Sequence, residues 1–167
     1  MSLAAIATAC TAQTTLATPL GAMLLARSES GLLGAWFEGQ QAHPGKIDAP
    51  QCDDDPLLRE AASQLDAYFG GRRSEFELPL DLRGTEFQRT VWRALLGIVG
   101  GQTASYGDVA RGLGSPRAVR AVGAAVGRNP LSVIVPCHRV LGSDGSLTGY
   151  AGGLARKSAL LRLEGVL

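Results

Sequence analysis

Cysteine is scarce in this sequence of 167 residues: Cys10, Cys52 and Cys137 lie far apart, and no two of them form a C-x-x-C pair. Their scarcity excludes a disulfide framework and agrees with a reducing compartment, so we expect a cytoplasmic protein. Long apolar runs are also absent, because no stretch approaches the ~18 uncharged apolar residues that a membrane span needs. The N-terminus lacks the basic region and the apolar run of a secretion signal, so we expect no membrane partner.

Net charge is equally small, at +1, but the charges are distributed unevenly along the chain. Residues 1–80 contain 5 Lys or Arg against 10 Asp or Glu, whereas residues 81–167 contain 11 against 5. The apolar content of 46% is enough for a buried core, and the length allows one ordinary domain or two small ones. We predict that the positive second part meets a polyanion while the acidic first part faces away, with chance segregation of charge as the alternative.

The first part, residues 1–80, has the pattern of a small α/β domain that follows an N-terminal tail. Apolar runs between turn sequences predict strands. Asp55-Pro56, an N-cap followed by a proline at the first helical position, begins a helix that Gly70-Gly71 ends. The predicted elements are strands at residues 22–26, 32–37 and 76–80 and a helix at residues 56–69.

The second part, residues 81–167, is predicted to be mainly helical. Thr85 with Gln88 forms a capping box, and Ser105 with Asp108 has the same capping pattern. Gly114 ends the second of these helices and Ser115-Pro116 begins another, which is typical of a helix-turn-helix. The predicted elements are helices from residue 85, at 105–113, at 116–127 and at 154–164, and a buried strand at 133–135.

Cys137 is the first candidate for chemistry. It follows the apolar run, and Pro136 before it favours an extended backbone, so the thiol is predicted to lie at the end of a rigid strand. A thiol attacks as the thiolate and needs a base or a positive neighbour. His138 is adjacent, but neighbouring side chains on a strand point to opposite faces, so contact requires a local turn or a water. The residues alone leave two interpretations, a nucleophile or an inert core cysteine.

Arg117 and Arg120 are the second candidate group. On one helix, their i,i+3 spacing places both on the same face, and the alanines and glycines around them make that helix slim. A slim helix either packs closely in a core or enters a nucleic-acid groove. Two arginines in the positive part of the chain favour the groove.

These residues resemble a known family, the O6-alkylguanine-DNA alkyltransferases, also called methylated-DNA–protein-cysteine methyltransferases. The resemblance is strong over about residues 82–165, whereas the first part matches only in length, in the order of its elements and in the helix ending Tyr68-Phe69-Gly70. The motifs in the family's order and spacing are Ser105-Tyr106-Gly107, Arg120-Ala121-Val122-Gly123, Asn129-Pro130, Pro136-Cys137-His138-Arg139-Val140 and Gly149-Tyr150-Ala151-Gly152-Gly153.

The resemblance implies direct repair of O6-alkylguanine in DNA, and it leaves O4-alkylthymine open as a second substrate. Cys137 would take the alkyl group irreversibly, so each molecule would react once. His138 would accept the thiol proton through a water, and Glu164 would orient His138. Asn129 matches the asparagine that braces the turn before the active-site segment.

The resemblance also implies nucleotide flipping, because the O6 atom of guanine is buried in the base pair. Arg120 matches the arginine that fills the vacated place in the stack, and Tyr106 matches the tyrosine that crowds the target's phosphate. The other implied DNA contacts are Ser115, Arg117 and Ala121. The base pocket would be formed by Val140, Ala151 and Tyr150, and Tyr150 would donate a hydrogen bond to the leaving guanine.

The implied fold is a small N-terminal α/β domain followed by a mainly α domain with a helix-turn-helix of winged-helix type. The helix-turn-helix would dock in the minor groove of double-stranded DNA, with the protein acting as a monomer and cooperative binding along DNA left open. Certain relatives hold a structural zinc in the first domain. Here only Cys10, His43 and Cys52 are available, scattered over a tail and a loop, so we predict no metal and no other cofactor.

Three rival interpretations remain. An alkyltransferase-like protein binds and flips lesions without repairing them, but such proteins usually carry tryptophan where this chain has Cys137. A hydrolase with a Cys–His pair would turn over repeatedly. A helix-turn-helix regulator would prefer one undamaged sequence and would tolerate the loss of Cys137.

Overall fold

The structure, a computed structural model, describes residues 2–167. Its helices are α1 (Leu3–Thr8), α2 (Pro56–Phe69), α3 (Glu86–Leu95), α4 (Tyr106–Gly112), α5 (Val119–Gly127) and α6 (Leu154–Leu163). Its strands are β1 (Ala12–Leu16), β2 (Met23–Arg27), β3 (Leu32–Phe37), β4 (Ala104–Ser105) and β5 (Val140–Leu141), and a 3-10 helix spans Cys137–Arg139. A small sheet with its helix thus precedes a mainly helical part, as the sequence predicts.

The N-terminal sheet is antiparallel, with the strands in the order β1–β2–β3. Helix α2 packs on one face, and its start is fixed by Asp55, whose side chain accepts from the Leu58 N–H at 3.0 Å. On the other face lie α1 and the loop residue Ile47. Because side chains cover both faces of the sheet, every residue of β3 is buried.

The outer edge of β3 holds the chain that leads to Cys137. The Ala35 N–H donates to the Pro130 carbonyl at 2.8 Å, and the Ala35 carbonyl accepts from the Ser132 N–H at 2.9 Å. Buried backbone groups at a sheet edge need such partners. The first part of the chain therefore fixes the backbone just before the candidate nucleophile.

Helices α4 and α5 form the helix-turn-helix, and α3 packs behind them. In the connecting turn Gly114 has a φ of 72°, a left-handed conformation that glycine adopts without steric penalty. The indole N–H of Trp92 on α3 donates to the Ala125 carbonyl on α5 at 2.8 Å in the interior. Both predicted capping boxes form, and β4 pairs in parallel with β5. The winged-helix type of this unit stays a prediction.

Two predicted elements of the first part differ from the structure. The N-terminal tail contains α1, capped by Ser2 and packed through Ile6. Residues 76–80 form no strand beyond one isolated bridge between Leu80 and Leu32, because the proline at position 79 has no N–H for a ladder. Among residues 2–167, no helix is both long and apolar enough to cross a membrane.

Two predicted elements of the second part are also wrong. Residues 133–135 form a buried turn instead of a strand. A short apolar run has the same sequence pattern in either structure, so the pattern could not tell them apart. Helix α5 begins at Val119 and not at residue 116, because the Ala118 N–H donates to the Ser115 carbonyl and closes a turn first. Arg117 therefore lies in that turn, and the prediction that it shares a helix face with Arg120 is wrong.

We predict that Trp92→Phe lowers the free energy of unfolding by about 1–3 kcal/mol, because it leaves a cavity between α3 and α5 and removes the hydrogen bond to Ala125. Urea denaturation followed by circular dichroism measures this change. The matched control is Arg93→Ala on the exposed side of the same helix, which we expect to cost less than about 0.5 kcal/mol. Equal losses in the two variants would contradict the buried packing of Trp92 between α3 and α5.

Candidate active site and DNA-binding face

The side chain of Asn129 organises the turn that leads to Cys137. Its Nδ2 donates to the carbonyls of Val135 at 2.9 Å and Leu131 at 3.3 Å, and its Oδ1 accepts from the Leu131 N–H at 2.9 Å. Within this turn Val133 has a φ of 73°, a left-handed conformation that β-branched residues rarely adopt. The Asn129 hydrogen bonds therefore hold the turn against a local preference of its sequence.

Cys137 lies directly in reach of the same amide. Asn129 Nδ2 donates to the Cys137 Sγ at 3.1 Å, and Cys137 begins the 3-10 helix with 2% of its surface exposed. Burial raises the pKa of the Cys137 thiol to about 11, while the Asn129 hydrogen bond and the positive charge of Lys157 act in the opposite direction. The thiol is therefore protonated at neutral pH and needs a base when it reacts.

His138 is fully buried, and its Nε2 lies 2.8 Å from Oε1 of Glu164. Burial lowers the pKa of His138 although Glu164 acts to raise it, so the imidazole is neutral at neutral pH. An ionised carboxylate can only accept a hydrogen bond, so Nε2 carries the proton and Nδ1 has the lone pair. Nδ1 is buried without a hydrogen-bond partner among residues 2–167, which leaves it free to accept a proton.

Glu164 is surrounded by donors, and only 3% of its side chain is exposed. Arg139 donates from Nη2 to Oε1 at 2.8 Å and from Nε to Oε2 at 2.9 Å, and the Tyr68 hydroxyl donates to Oε1 at 2.8 Å. Burial alone would raise the pKa of Glu164, but the hydrogen bonds from His138 and Arg139 bring it down to about 2. The carboxylate is therefore ionised at neutral pH.

The three residues predicted to form the base pocket, Val140, Tyr150 and Ala151, are all buried. The Tyr150 ring lies 6.5 Å from the His138 ring, measured between centroids. Burial raises the pKa of Tyr150 well above its ordinary value, so the hydroxyl keeps its proton. That hydroxyl has no hydrogen-bond partner in the described part of the chain, so its O–H is available to a ligand.

Lys157 is a fully buried cation that contacts the backbone of Val140, one of these three residues. Its Nζ donates to the carbonyls of Val140 at 2.5 Å and Thr148 at 2.8 Å, and so joins β5 to the glycine-rich loop of residues 142–153, the pocket loop. Burial lowers the pKa of Lys157 to about 8, while the Cys137 thiolate would raise it. Among residues 2–167, no three His, Cys, Asp or Glu side chains come together to hold a metal ion. The absence of a metal in the working protein stays a prediction.

The predicted DNA contacts lie on the outer side of the helix-turn-helix. These residues, Ser115, Arg117, Arg120 and Ala121, are all exposed. Tyr106 is partly buried at the start of α4, and its hydroxyl donates to the Thr148 carbonyl at 3.1 Å, in the loop that Lys157 also holds. The structure thus connects the helix-turn-helix to the pocket loop through Tyr106, and its predicted role at the phosphate stays a prediction.

Three polar residues of this site were not predicted from the sequence: Tyr68, Arg139 and Lys157. Lys157 precedes Leu160 and Leu161 by three and four positions, so helical spacing alone places it on the buried face of α6. Arg139 stands inside the recognised motif. No local pattern points to Tyr68, because its partner Glu164 lies 96 residues further along the chain.

A buried cysteine beside a His–Glu pair, behind a helix-turn-helix with arginines on its outer side, is the arrangement expected of a DNA-binding protein whose thiol reacts with its target. The chain belongs to the 6-O-methylguanine DNA methyltransferase family. The ribonuclease-like domain of that family matches residues 12–82, and its DNA binding domain matches residues 86–166.

Two proteins named methylated-DNA–protein-cysteine methyltransferase are similar to this chain over most of their length. The methylated-DNA–protein-cysteine methyltransferase of Mycobacterium leprae is 49% identical over 146 residues, which is 87% of each chain. That of Methanosarcina acetivorans is 48% identical over 88% of this chain and 94% of its own. The structure of Mycobacterium tuberculosis OGT in complex with DNA superposes with a TM-score of 0.83 at 46% identity and covers 92% of both chains.

We predict that Asn129→Asp suppresses the reactivity of the Cys137 thiol. The aspartate keeps the Oδ1 acceptor, but it removes the donors to Sγ and to the Val135 and Leu131 carbonyls. It also adds a negative charge that disfavours the thiolate, so the pKa of Cys137 rises further. Alkylation of Cys137 by iodoacetamide near pH 8 should slow by roughly tenfold. Peptide mass spectrometry measures the rate, and the partly exposed Cys52 of the same protein is the internal control. An unchanged Cys137 rate in a folded variant would contradict the electrostatic role of Asn129.

Proposed function

We propose that the protein repairs O6-alkylguanine in DNA by moving the alkyl group onto Cys137 in a single irreversible reaction. The observation that carries the proposal is the position of the Cys137 thiol. The thiol is buried and accepts a hydrogen bond from Asn129. The next residue, His138, is held by Glu164 at Nε2, and its Nδ1 has no hydrogen-bond partner in the described part of the chain. Relatives that are 49% and 48% identical to this chain are named for the same transfer.

In the proposed reaction the Cys137 Sγ attacks the alkyl carbon. The new bond joins carbon to sulfur, the bond between that carbon and O6 breaks, and its electron pair goes to the guanine. The thiol proton passes through a water to Nδ1 of His138, and Glu164 stabilises the imidazolium that forms. Tyr150 would donate a hydrogen bond to the departing base. The buried Tyr150 hydroxyl, which has no hydrogen-bond partner in the described part of the chain, supports this role. Nothing in the chain reverses a thioether, so each molecule reacts once.

Access to the lesion requires that the nucleotide leave the duplex, because O6 lies inside the base pair. We propose that the helix-turn-helix docks in the minor groove and that Arg120 occupies the vacated place in the stack. Exposed arginines on the outer side of this unit and the positive charge of residues 81–167 support the proposal. Tyr106, between the helix-turn-helix and the pocket loop, would press on the phosphate of the target nucleotide.

We also propose that residues 1–80 form the supporting domain and residues 81–167 the DNA-binding and active-site domain. A monomer suffices for the reaction, because all its groups come from one chain. The protein would work in the cytoplasm, where a reducing environment keeps the Cys137 acceptor as a free thiol.

Stoichiometry tests the proposed function. Incubation with duplex DNA that carries O6-methylguanine should add one methyl group to the protein, on the peptide that contains Cys137, and repair should stop at one lesion per molecule. Intact-protein and peptide mass spectrometry measure both. Cys137→Ser should bind DNA normally and gain no mass, whereas Cys52→Ser, the matched control at a partly exposed cysteine, should react fully. Sustained turnover by unmodified protein would instead identify a hydrolase.

A second experiment separates flipping from chemistry. Arg120→Ala should slow repair of duplex O6-methylguanine by roughly tenfold or more, because the extruded state loses the side chain that replaces the base. Free O6-benzylguanine needs no flipping and should alkylate the variant at a rate close to that of the unchanged protein. Arg162→Ala, which removes another exposed charge, from α6, is the control. If Arg120→Ala loses both reactions equally, Arg120 supports the fold or the pocket and does not take part in flipping.

A further inference from the structure

The hydroxyl of Tyr68 reaches the candidate active site from the first part of the chain. Tyr68 lies near the end of α2, is 1% exposed and donates to Oε1 of Glu164 at 2.8 Å. Its ring packs against Phe69 and Phe76, with centroids 5.4 and 5.6 Å away. These contacts anchor the ring independently of Glu164, so the fold of the N-terminal half sets the position of the hydroxyl.

Oε1 of Glu164 is shared between Tyr68 and the candidate base. The same oxygen accepts from Nε2 of His138 and from Nη2 of Arg139, each at 2.8 Å. A hydrogen bond donated to a carboxylate stabilises its charged form and lowers its affinity for a proton. The Tyr68 bond therefore weakens Oε1 as an acceptor for His138.

We infer that Tyr68 is a positioning residue of the alkyl transfer: its hydroxyl fixes Oε1 of Glu164 and limits how strongly that oxygen stabilises protonated His138. The imidazole is thereby kept neutral and ready to take the Cys137 proton. The inference rests on the proposed function, because His138 acts as a base only in the proposed alkyl transfer.

Of the charged and titratable groups that face His138, only Glu164 favours the protonated imidazole. Arg139 in the same 3-10 helix and Lys157 from α6 are cations, and both disfavour a protonated imidazole. Cys137 and Tyr150 hold their protons at neutral pH because burial raises the pKa of each. Glu164 is thus the group that favours protonation of His138, and Tyr68 is the neutral donor that moderates it.

The test uses Tyr68→Phe, which keeps the packed ring and removes only the hydroxyl. NMR titration follows His138, one of the two histidines of the chain. We expect the pKa of His138 to rise by about 0.5. The acidic limb of the rate of methyl transfer from duplex O6-methylguanine should move to higher pH by the same amount, with rates on that limb about threefold lower.

Two controls separate this role from a merely structural one. Thr14→Val removes another buried hydroxyl from the same half of the chain, where Thr14 donates to Asp53 at 2.7 Å, and should leave the pH profile unchanged. In a Glu164→Gln background, Tyr68→Phe should no longer shift the His138 titration.

An unchanged or lowered pKa of His138 in Tyr68→Phe overturns the inference, and so does a shift that persists without the Glu164 carboxylate. Failure of the proposed function has a different signature. The unchanged protein would then gain no methyl group on Cys137, whatever the histidine titration shows.

Discussion

Glu164 carries a negative charge with only 3% of its side chain exposed. Burial of an unpaired carboxylate costs several kcal/mol, so the charge persists only because the Arg139 cation and the donors of His138 and Tyr68 surround it. These partners come from the 3-10 helix and from α2, while Glu164 ends α6. The rest of the site depends on this pairing. Without the carboxylate the Arg139 charge would be buried and unpaired, and nothing would keep the His138 proton on Nε2.

The depth of Cys137 fits an acceptor that can be used only once. A thiol exposed to solvent at neutral pH is lost to oxidation or to stray electrophiles, whereas a thiol that is 2% exposed and protonated in the resting protein reacts slowly with either. Reactivity then requires a group that enters the pocket and a base that removes the proton there. The hydrogen bonds of Asn129 to the turn that contains Val133 and to Sγ hold the Cys137 thiol rigidly in position for such a reaction.

Local signals in the sequence predicted most of the fold, because caps and apolar periodicity act over a few residues. The helices α2, α3 and α4 begin at the predicted caps, and β2 and β3 lie where turn sequences enclose apolar runs. The buried turn at residues 133–135 could not be found in this way, since it depends on the side chain of Asn129 and on the edge of β3. The motif around Cys137 indicated the candidate site, yet it could not reveal Tyr68 or the bonds of Lys157. Those contacts join residues distant in sequence, and only the tertiary structure brings them together.

The acidic half of the chain has two separate effects on the site. Through the edge of β3 it holds the turn that leads to Cys137, and through Tyr68 it holds the Glu164 carboxylate beside the candidate base His138. Through its charge it acts at longer range, since residues 1–80 have an excess of Asp and Glu and residues 81–167 an excess of Arg and Lys. A molecule charged in this way meets a polyanion preferentially with its positive side, and salt screens that preference beyond about 10 Å. Residues 1–80 therefore influence the geometry of the site through their contacts and the orientation toward a polyanion through their charge.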